Sequence, residues 1–395
     1  MPGRSGQGEV VERRIVDFLC YRRVDHRSAA GCISISGVFT VKLEIEELKE
    51  SDLKERRFDD LSFGVHFTDR MFIMEYDRGI GWHSARITKF QNFSLSPATM
   101  VFHYGQAAFE GMKAYPREGS RVALFRPEKN LRRMNMSAER LCMPPIDEEF
   151  VLECLIKLVS LEREWVPRGE GQSLYIRPTY IGIDPVIRVR ASDKYLFFII
   201  LSPVGAYFKN GFSAARILVE DTYSRACKGG TGYTKFCGNY GASLKAGERA
   251  QANGYDQVLW LDACEHRYVE EVGSMNIFFV IDGKLVTPEL QGSILPGITR
   301  ESTIELARDL GYEVVERPIE IKEVLEGIES GRITEIFGTG TACVISPVGT
   351  LGYKGKDYTV NGGKIGEITK RLYKELTSIQ YGTAEDRFGW MRIID

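Results

Sequence analysis

The chain has 395 residues, 43% of them hydrophobic and 27% charged, with a net charge of −2. That balance fits a soluble globular protein of one large or two smaller domains with a substantial core. It excludes a general nucleic-acid binder, which needs a large basic excess, and a membrane protein, since the best apolar run, "YLFFIIL" at 195–201, is only strand-length.

In chain order, residues 1–41 are Arg-rich yet carry Glu9, Glu12, Asp17 and Asp25. They read as a disordered extension or a start placed too far upstream, with organellar targeting as the alternative. "KLEIEELKESDLKERRFDD" is a solvated lead-in, helical or irregular, and "VHFTDRMFIMEY" alternates as a strand does. "FRPEKNLRRMNMSAERL" passes from a strand end into a helix at Pro127, and "DEEFVLECLIKLVSLEREWVP" is a helix stopped by Pro167. "SLYIRPTYIGI" and "KYLFFIILSPV" are strands, and the turn-rich "SPVGAYFKNGFS" connects two domains. Beyond it come the strand "ARILVED", a helix closed by Gly254, and strands in "QVLWLD", "YVEEVGSMNIFFVIDGKLVTP" and "EIFGTGTACVISPVGTL". "TRESTIELARDLG" and "GKIGEITKRLYKELTSIQYG" are helices ending in glycine. Strand pairs mixed with helices point to an α+β fold, not a regular doubly wound sheet.

Eight cysteines, at 20, 32, 142, 154, 227, 237, 264 and 343, form no Cys-x-x-Cys pair, and the five histidines show no zinc-site spacing. The expectation is reduced thiols in a cytoplasmic protein without a metal.

Four local patterns carry chemistry. In "TGYTKFCGNYG", Lys235 stands among glycines that let backbone and ligand approach closely. An amine nucleophile needs such a setting, although a surface turn explains the same letters. In "EEVGSMNIFFV", Glu271 enters an apolar strand and needs a cationic partner unless the strand ends in water. "SILPGITRESTIEL" leads Pro296 and Gly297 into a helix near Thr299, whose first amides can hold an anion, and "FGTGTA" is a second run able to present amides. Tyr175 and Arg177 lie two apart on a strand, so both face one way, toward a carboxylate or a cross-strand salt bridge.

Taken in order, "HYGQAAFEGMKAY", "LFRPEKNLRRMNMSAERLCMP", "LYIRP", "SPVGAYF", the Lys-x-x-x-Asn-Tyr-Gly of 235–241, "EVGSMNIF", "LPGITR" and "FGTGTAC" resemble the fold-type IV, pyridoxal-phosphate-dependent aminotransferases. Within them the likeness is to the branched-chain amino acid aminotransferases. The resemblance implies an α+β (mixed α/β) architecture: a small N-terminal α/β domain over 42–203, an interdomain loop at 204–211 and a larger mixed domain over 212–395. Pyridoxal 5'-phosphate would lie between the domains. Lys235 would hold the cofactor covalently and move the substrate proton, Glu271 would pair with the pyridine nitrogen, and Tyr240 would bond the phenolic oxygen. Leu295 would pack on the ring. Arg126, the amides of Ile298 and Thr299, and Thr341 would hold the phosphate, with Arg225 nearby.

The resemblance also implies that the backbone of Thr341 and Ala342 takes the substrate carboxylate, supported by Tyr104, Tyr175 and Arg177. Arg177 would meet the distal carboxylate of 2-oxoglutarate or glutamate. Phe109, Tyr207 and Tyr240 would form an apolar wall, and Val189 would reach in from the other subunit of a homodimer. The implied reaction is ping-pong transamination of L-leucine, L-isoleucine or L-valine with 2-oxoglutarate. Rivals are a D-amino acid aminotransferase, an aminodeoxychorismate lyase, an R-selective amine transaminase and a silent cofactor-binding protein. Two features depart from relatives: "CVIS" puts Ser346 where some carry a second redox cysteine after Cys343, and Arg188 adds charge to the cross-subunit loop.

Overall fold

A computed structural model describes residues 12–15, 39–207 and 212–395. The reading of 1–41 as disordered falls mostly outside the described residues. The described part pairs Glu12–Ile15 antiparallel with Phe39–Lys42. The charged lead-in forms only the two-residue strand Glu44–Ile45 and the 3-10 turn Glu50–Asp52.

Two nine-stranded sheets organise the molecule. The first runs Met391–Ile394, Val122–Phe125, Met112–Pro116, Ser173–Gly182, Lys194–Val204, Arg70–Asp77, Gly81–Lys89 and Glu44–Ile45, with Ala107–Phe109 also paired to Ser173–Gly182. The helices Pro127–Arg140 and Glu148–Leu161 cover it. Their apolar stripes, including Leu131, Met134, Phe150, Leu155 and Leu158, join Phe72, Ile87, Leu124, Ile176 and Phe197 in one core. Asp147 caps the second helix by accepting from the Phe150 amide at 3.0 Å.

The second sheet closes on itself. Val269–Val272, Gln257–Leu261, Ala215–Glu220, Val344–Tyr353, Ile333–Gly340 and Met275–Ile281 form a ring, because Val269–Val272 pairs with both Gln257–Leu261 and Met275–Ile281. Strand alternation assigns the two faces. Ile277 and Phe279 pack with Ile217, Leu259, Ile336 and Leu351, whereas Phe278 and Val280 pack on helices Ile298–Asp309 and Glu367–Tyr381 through Ile304, Leu306, Leu372 and Leu376.

One expected boundary needs correction. The span 212–395 does not stay with the second sheet, because Met391–Ile394 returns to the first and pairs antiparallel with Val122–Phe125. The edge backbone groups of Val122–Phe125 thereby gain partners. Among the described residues no helix is long and apolar enough to cross a membrane.

Candidate active site

Lys235 sits where the two sheets meet. Its amide donates to Ser137 Oγ at 3.0 Å, on the helix Pro127–Arg140, and its carbonyl accepts from the Phe109 amide at 3.1 Å. Asn239 ties the preceding loop by donating to the carbonyls of Thr231 and Thr234 at 2.9 and 3.1 Å. A side chain at Gly232 would strike the Ser293 carbonyl, so this glycine permits the close approach. The Lys235 ammonium donates to the Tyr240 hydroxyl at 3.1 Å and lies 4.6 Å from the centre of the Phe109 ring.

Glu271 does not end its strand in water. It is 3% exposed, and its Oε1 accepts from the Leu295 amide at 2.7 Å and lies 3.2 Å from Arg225 Nη2. Burial pushes its carboxyl above the usual range despite the opposing pull of Arg225, the Leu295 amide, Lys235 and Arg133. Arg225 therefore stands at the Glu271 end of the site, not at the expected phosphate end. It also donates to the Gly232 and Ser293 carbonyls, while its buried Nε has no hydrogen-bond partner among the described residues.

At the other end, Gly297 caps the helix Ile298–Asp309, and the first-turn amides of Ile298 and Thr299 have no intrahelical acceptor. A Cβ at Gly297 would collide with Asn276 Oδ1, and Asn276 Nδ2 in turn holds the Leu295 carbonyl at 2.9 Å. Arg126 meets this helix one turn in, at Ser302, whose hydroxyl donates to the Ile298 carbonyl at 2.9 Å. Its guanidinium bonds Ser302 Oγ at 2.7 Å and lies 3.0 and 3.2 Å from Glu301 and Glu305, with the Trp390 ring centre 5.2 Å away. Two carboxylates and a hydroxyl further along the helix occupy its donors. The arginine at the helix start is Arg133, whose Nη1 donates to the Pro296 carbonyl at 2.9 Å.

Arg133 belongs to a network that sequence reasoning missed. Its Nε and Nη2 meet the two oxygens of Glu110 at 2.7 and 2.9 Å, and Asn130 Nδ2 adds a bond at 2.7 Å. Burial works against the Glu110 carboxylate, but Arg133, Lys235 and Asn130 hold it below the usual range. The available signal was a glutamate between Phe109 and Gly111 in an otherwise apolar run.

On the substrate side, Arg177 Nη2 donates to the Tyr175 hydroxyl at 3.0 Å, as their spacing on one strand face predicts. The Arg177 guanidinium lies 4.5 Å from the centre of the Phe109 ring, the same ring that Lys235 touches, and its buried Nε has no hydrogen-bond partner among the described residues. Phe109 and Tyr240 have ring centres 4.7 Å apart. Thr341 Oγ1 donates to the Gly111 carbonyl at 3.2 Å, and a Cβ at Gly111 would run into the Tyr175 hydroxyl. Leu295 is half-buried beside Glu271, and Tyr104 ends the short helix Met100–Tyr104, also half-buried.

Thus Lys235, Tyr240, Phe109, Tyr175 and Arg177 converge through the Phe109 ring, with Glu271 and Leu295 at one end. Tyr207 is 47% exposed, yet it lies near Cys343 beside the 341–342 turn, and burial pushes its hydroxyl up to about 12; Val189, expected from the other subunit, is 82% exposed on the loop after Gly182.

The sequence profile of the amino-transferase class IV family matches residues 107–351. A Bacillus subtilis (strain 168) protein named branched-chain-amino-acid transaminase 1 is 54% identical over 331 residues, 84% of this chain and 93% of its own length. Among solved structures, a branched-chain aminotransferase from Thermoproteus uzoniensis with norvaline aligns with a TM-score of 0.68 and 26% identity, over 82% of this chain and 100% of its own. A T.th. branched-chain amino acid aminotransferase complexed with N-(5'-phosphopyridoxyl)-L-glutamate aligns with a TM-score of 0.68 and 27% identity, over 82% of this chain and 98% of its own.

Proposed function

The chain belongs to the class IV aminotransferases, and from that premise we infer that it transfers the amino group of branched-chain L-amino acids to 2-oxoglutarate with pyridoxal 5'-phosphate. When bound, this cofactor supplies an aldehyde that takes up the amino group and a ring that accepts the electrons left at Cα. The residues fit it. Glu271 is a buried carboxyl that its neighbours do not fully compensate, which suits a protonated ring nitrogen. The helix start at Ile298 and Thr299, with Arg133 and Thr341 beside it, suits a phosphate.

The observation that carries the reading is a single amine, Lys235 Nζ, placed between the Tyr240 hydroxyl and the Phe109 ring with Arg177 on that ring's other flank. Lys235 holds the proton taken from the substrate Cα, and Tyr240 orients the amine. Phe109 and Tyr240 give an apolar wall for a branched side chain and keep water from it. Arg177, with Tyr175 steadying it and an Nε without a partner among the described residues, receives the distal carboxylate of 2-oxoglutarate. Thr341 and Ala342 take the α-carboxylate, with Tyr104 and Tyr207 at the rim.

The assembly is a cytoplasmic homodimer. Val186, Ile187 and Val189 expose apolar side chains on one loop, which supports its burial against a second copy. The working units are 42–203 and 212–395, with the last strand, Met391–Ile394, joining the sheet of the first.

The test is an assay of the protein with pyridoxal phosphate. L-leucine and 2-oxoglutarate should give glutamate, D-alanine should not, and Lys235→Ala should lose both turnover and the visible absorbance of the bound cofactor. A protein that stays colourless, or that prefers D-alanine, defeats the reading.

A further inference from the structure

Glu270 is a buried carboxyl that the reading above does not use. It precedes Glu271 on the strand Val269–Val272, and strict alternation would send consecutive side chains to opposite faces. The register slips at this point. Leu259 and Leu261, two apart, pair with Val272 and Val269, three apart, so the strand carries one extra residue, as a β-bulge does. Both carboxyls reach the same segment. Glu270 Oε1 accepts from the Ser293 hydroxyl, and Glu271 Oε1 accepts from the Leu295 amide at 2.7 Å. The Ser293 carbonyl takes a bond from Arg225. Two consecutive glutamates thus grip residues 293–295, and one arginine is bonded to the same stretch.

The charges at this end do not cancel. Arg225 is in ion-pair contact with Glu271 and also pulls on Glu270. The other titratable groups that act on Glu270 are Glu271 and Asp262, both acidic. Lys235 and Arg133 act on Glu271 from the far side, where Arg133 is matched by its two-point bond to Glu110. Glu270 Oε2 is buried with no hydrogen-bond partner among the described residues. Burial holds the Glu270 carboxyl above the usual range, as it does for Glu271. Two carboxyls set against one guanidinium leave one negative charge over, the amount that a single protonated ring nitrogen meets. With Glu271 and Arg225 alone the two would cancel, and the ring cation would be the unmatched charge in a buried place.

We propose that Glu270 is a positioning residue that acts through Glu271: the two share Arg225, and the pair thereby keeps one negative charge for the protonated ring nitrogen of the cofactor. The inference rests on the reading that places this nitrogen at Glu271. Its consequence is chemical, because the ring draws electrons from the substrate only while it holds that proton.

The experiment titrates the cofactor-free protein at neutral pH with two ligands and follows absorbance. One is pyridoxal phosphate, and the other is its analogue with a C–H in place of the ring nitrogen. The wild type should prefer pyridoxal phosphate, since only that ligand carries the ring proton. Glu270→Gln keeps an acceptor for Ser293 and removes the charge. It should weaken pyridoxal phosphate on the order of tenfold, the weight of one nearby charge in a protein interior. The analogue, with no ring charge to feel the change, should stay within about twofold. Glu270→Asp keeps the charge on a shorter arm, so the ratio of the two affinities should match wild type even if both fall. Glu271→Gln, which removes the direct partner, should lose the preference at least as far.

Equal losses for both ligands in Glu270→Gln, with the preference intact, would make Glu270 a structural brace for residues 293–295 and overturn the proposal. Should Glu270→Gln not fold, a Glu270→Asp protein that has lost the preference overturns it equally. A wild type without the preference, or a Glu271→Gln protein that keeps it, would instead refute the placement of the ring nitrogen at Glu271, a failure that the Glu270 variants cannot imitate.

Discussion

Glu110 and Glu271 are both buried, each beside an arginine that is itself buried, and their carboxyls shift in opposite directions. Glu110 has a two-point bond to Arg133, a bond from Asn130 and one from the Gly111 amide at 3.1 Å, so its oxygens are saturated. Glu271 has one amide and one oblique guanidinium, both on the same oxygen. Burial is the leading cause in both places and raises both groups, and the fuller set of donors around Glu110 overcomes it there. A saturated pair holds structure together. An under-compensated carboxyl is held ready for a cation that the chain does not supply.

The most severe break is at the amine that acts on both carboxyls. Lys235→Ala should lower transamination on the order of 10⁴-fold, read as glutamate formed from leucine. Next comes the saturated pair. Glu110→Gln leaves Arg133 buried against a neutral amide and should cost about 3–5 kcal/mol in the cofactor-free protein, measured by denaturant midpoint. The matched change Glu271→Gln should alter stability by no more than about 1 kcal/mol while cutting kcat on the order of 10²-fold. Equal destabilisation by the two variants would erase the contrast.

Acid titration of the cofactor-free protein sharpens it. Glu110, with a lowered folded pKa, contributes stability that is present at neutral pH and lost as pH falls through that value. Glu271, with a raised one, works in reverse: its share is full below its unfolded pKa and declines as pH rises through the folded one. Thermal midpoints across pH 3–8 should therefore fall less steeply with acid in Glu110→Gln and more steeply in Glu271→Gln, relative to wild type. The mildest effect on stability is expected at Arg126. Arg126→Gln should cost about 1 kcal/mol, because Glu301 and Glu305 are partly exposed. The loss is read as a shift in the denaturant midpoint of the cofactor-free protein.

Several of these features were legible as letters. The glycines around Lys235 announced close packing, and Tyr175 and Arg177, two apart, had to share a strand face. Arg126 against Arg133 was not legible. Both bracket one helix start in sequence, but Arg126 sits in the turn entering the helix, at φ of 46°, and points toward Glu301, whereas Arg133 lies two turns on and faces Pro296. The return of Met391–Ile394 to the first sheet was equally hidden, since nothing local says which edge a terminal strand will find.

From its residues alone the chain determines its strands and helices, its chemical class and the amine at the centre, because periodicity, glycine placement and residue type are local and survive without a partner. Only the tertiary structure decides which arginine faces which carboxyl, that the second sheet closes into a ring, and that Lys113 holds the Ala342 carbonyl of the 341–343 turn. Those depend on contacts between residues 20 to 230 positions apart, and on how many donors burial leaves to each charge.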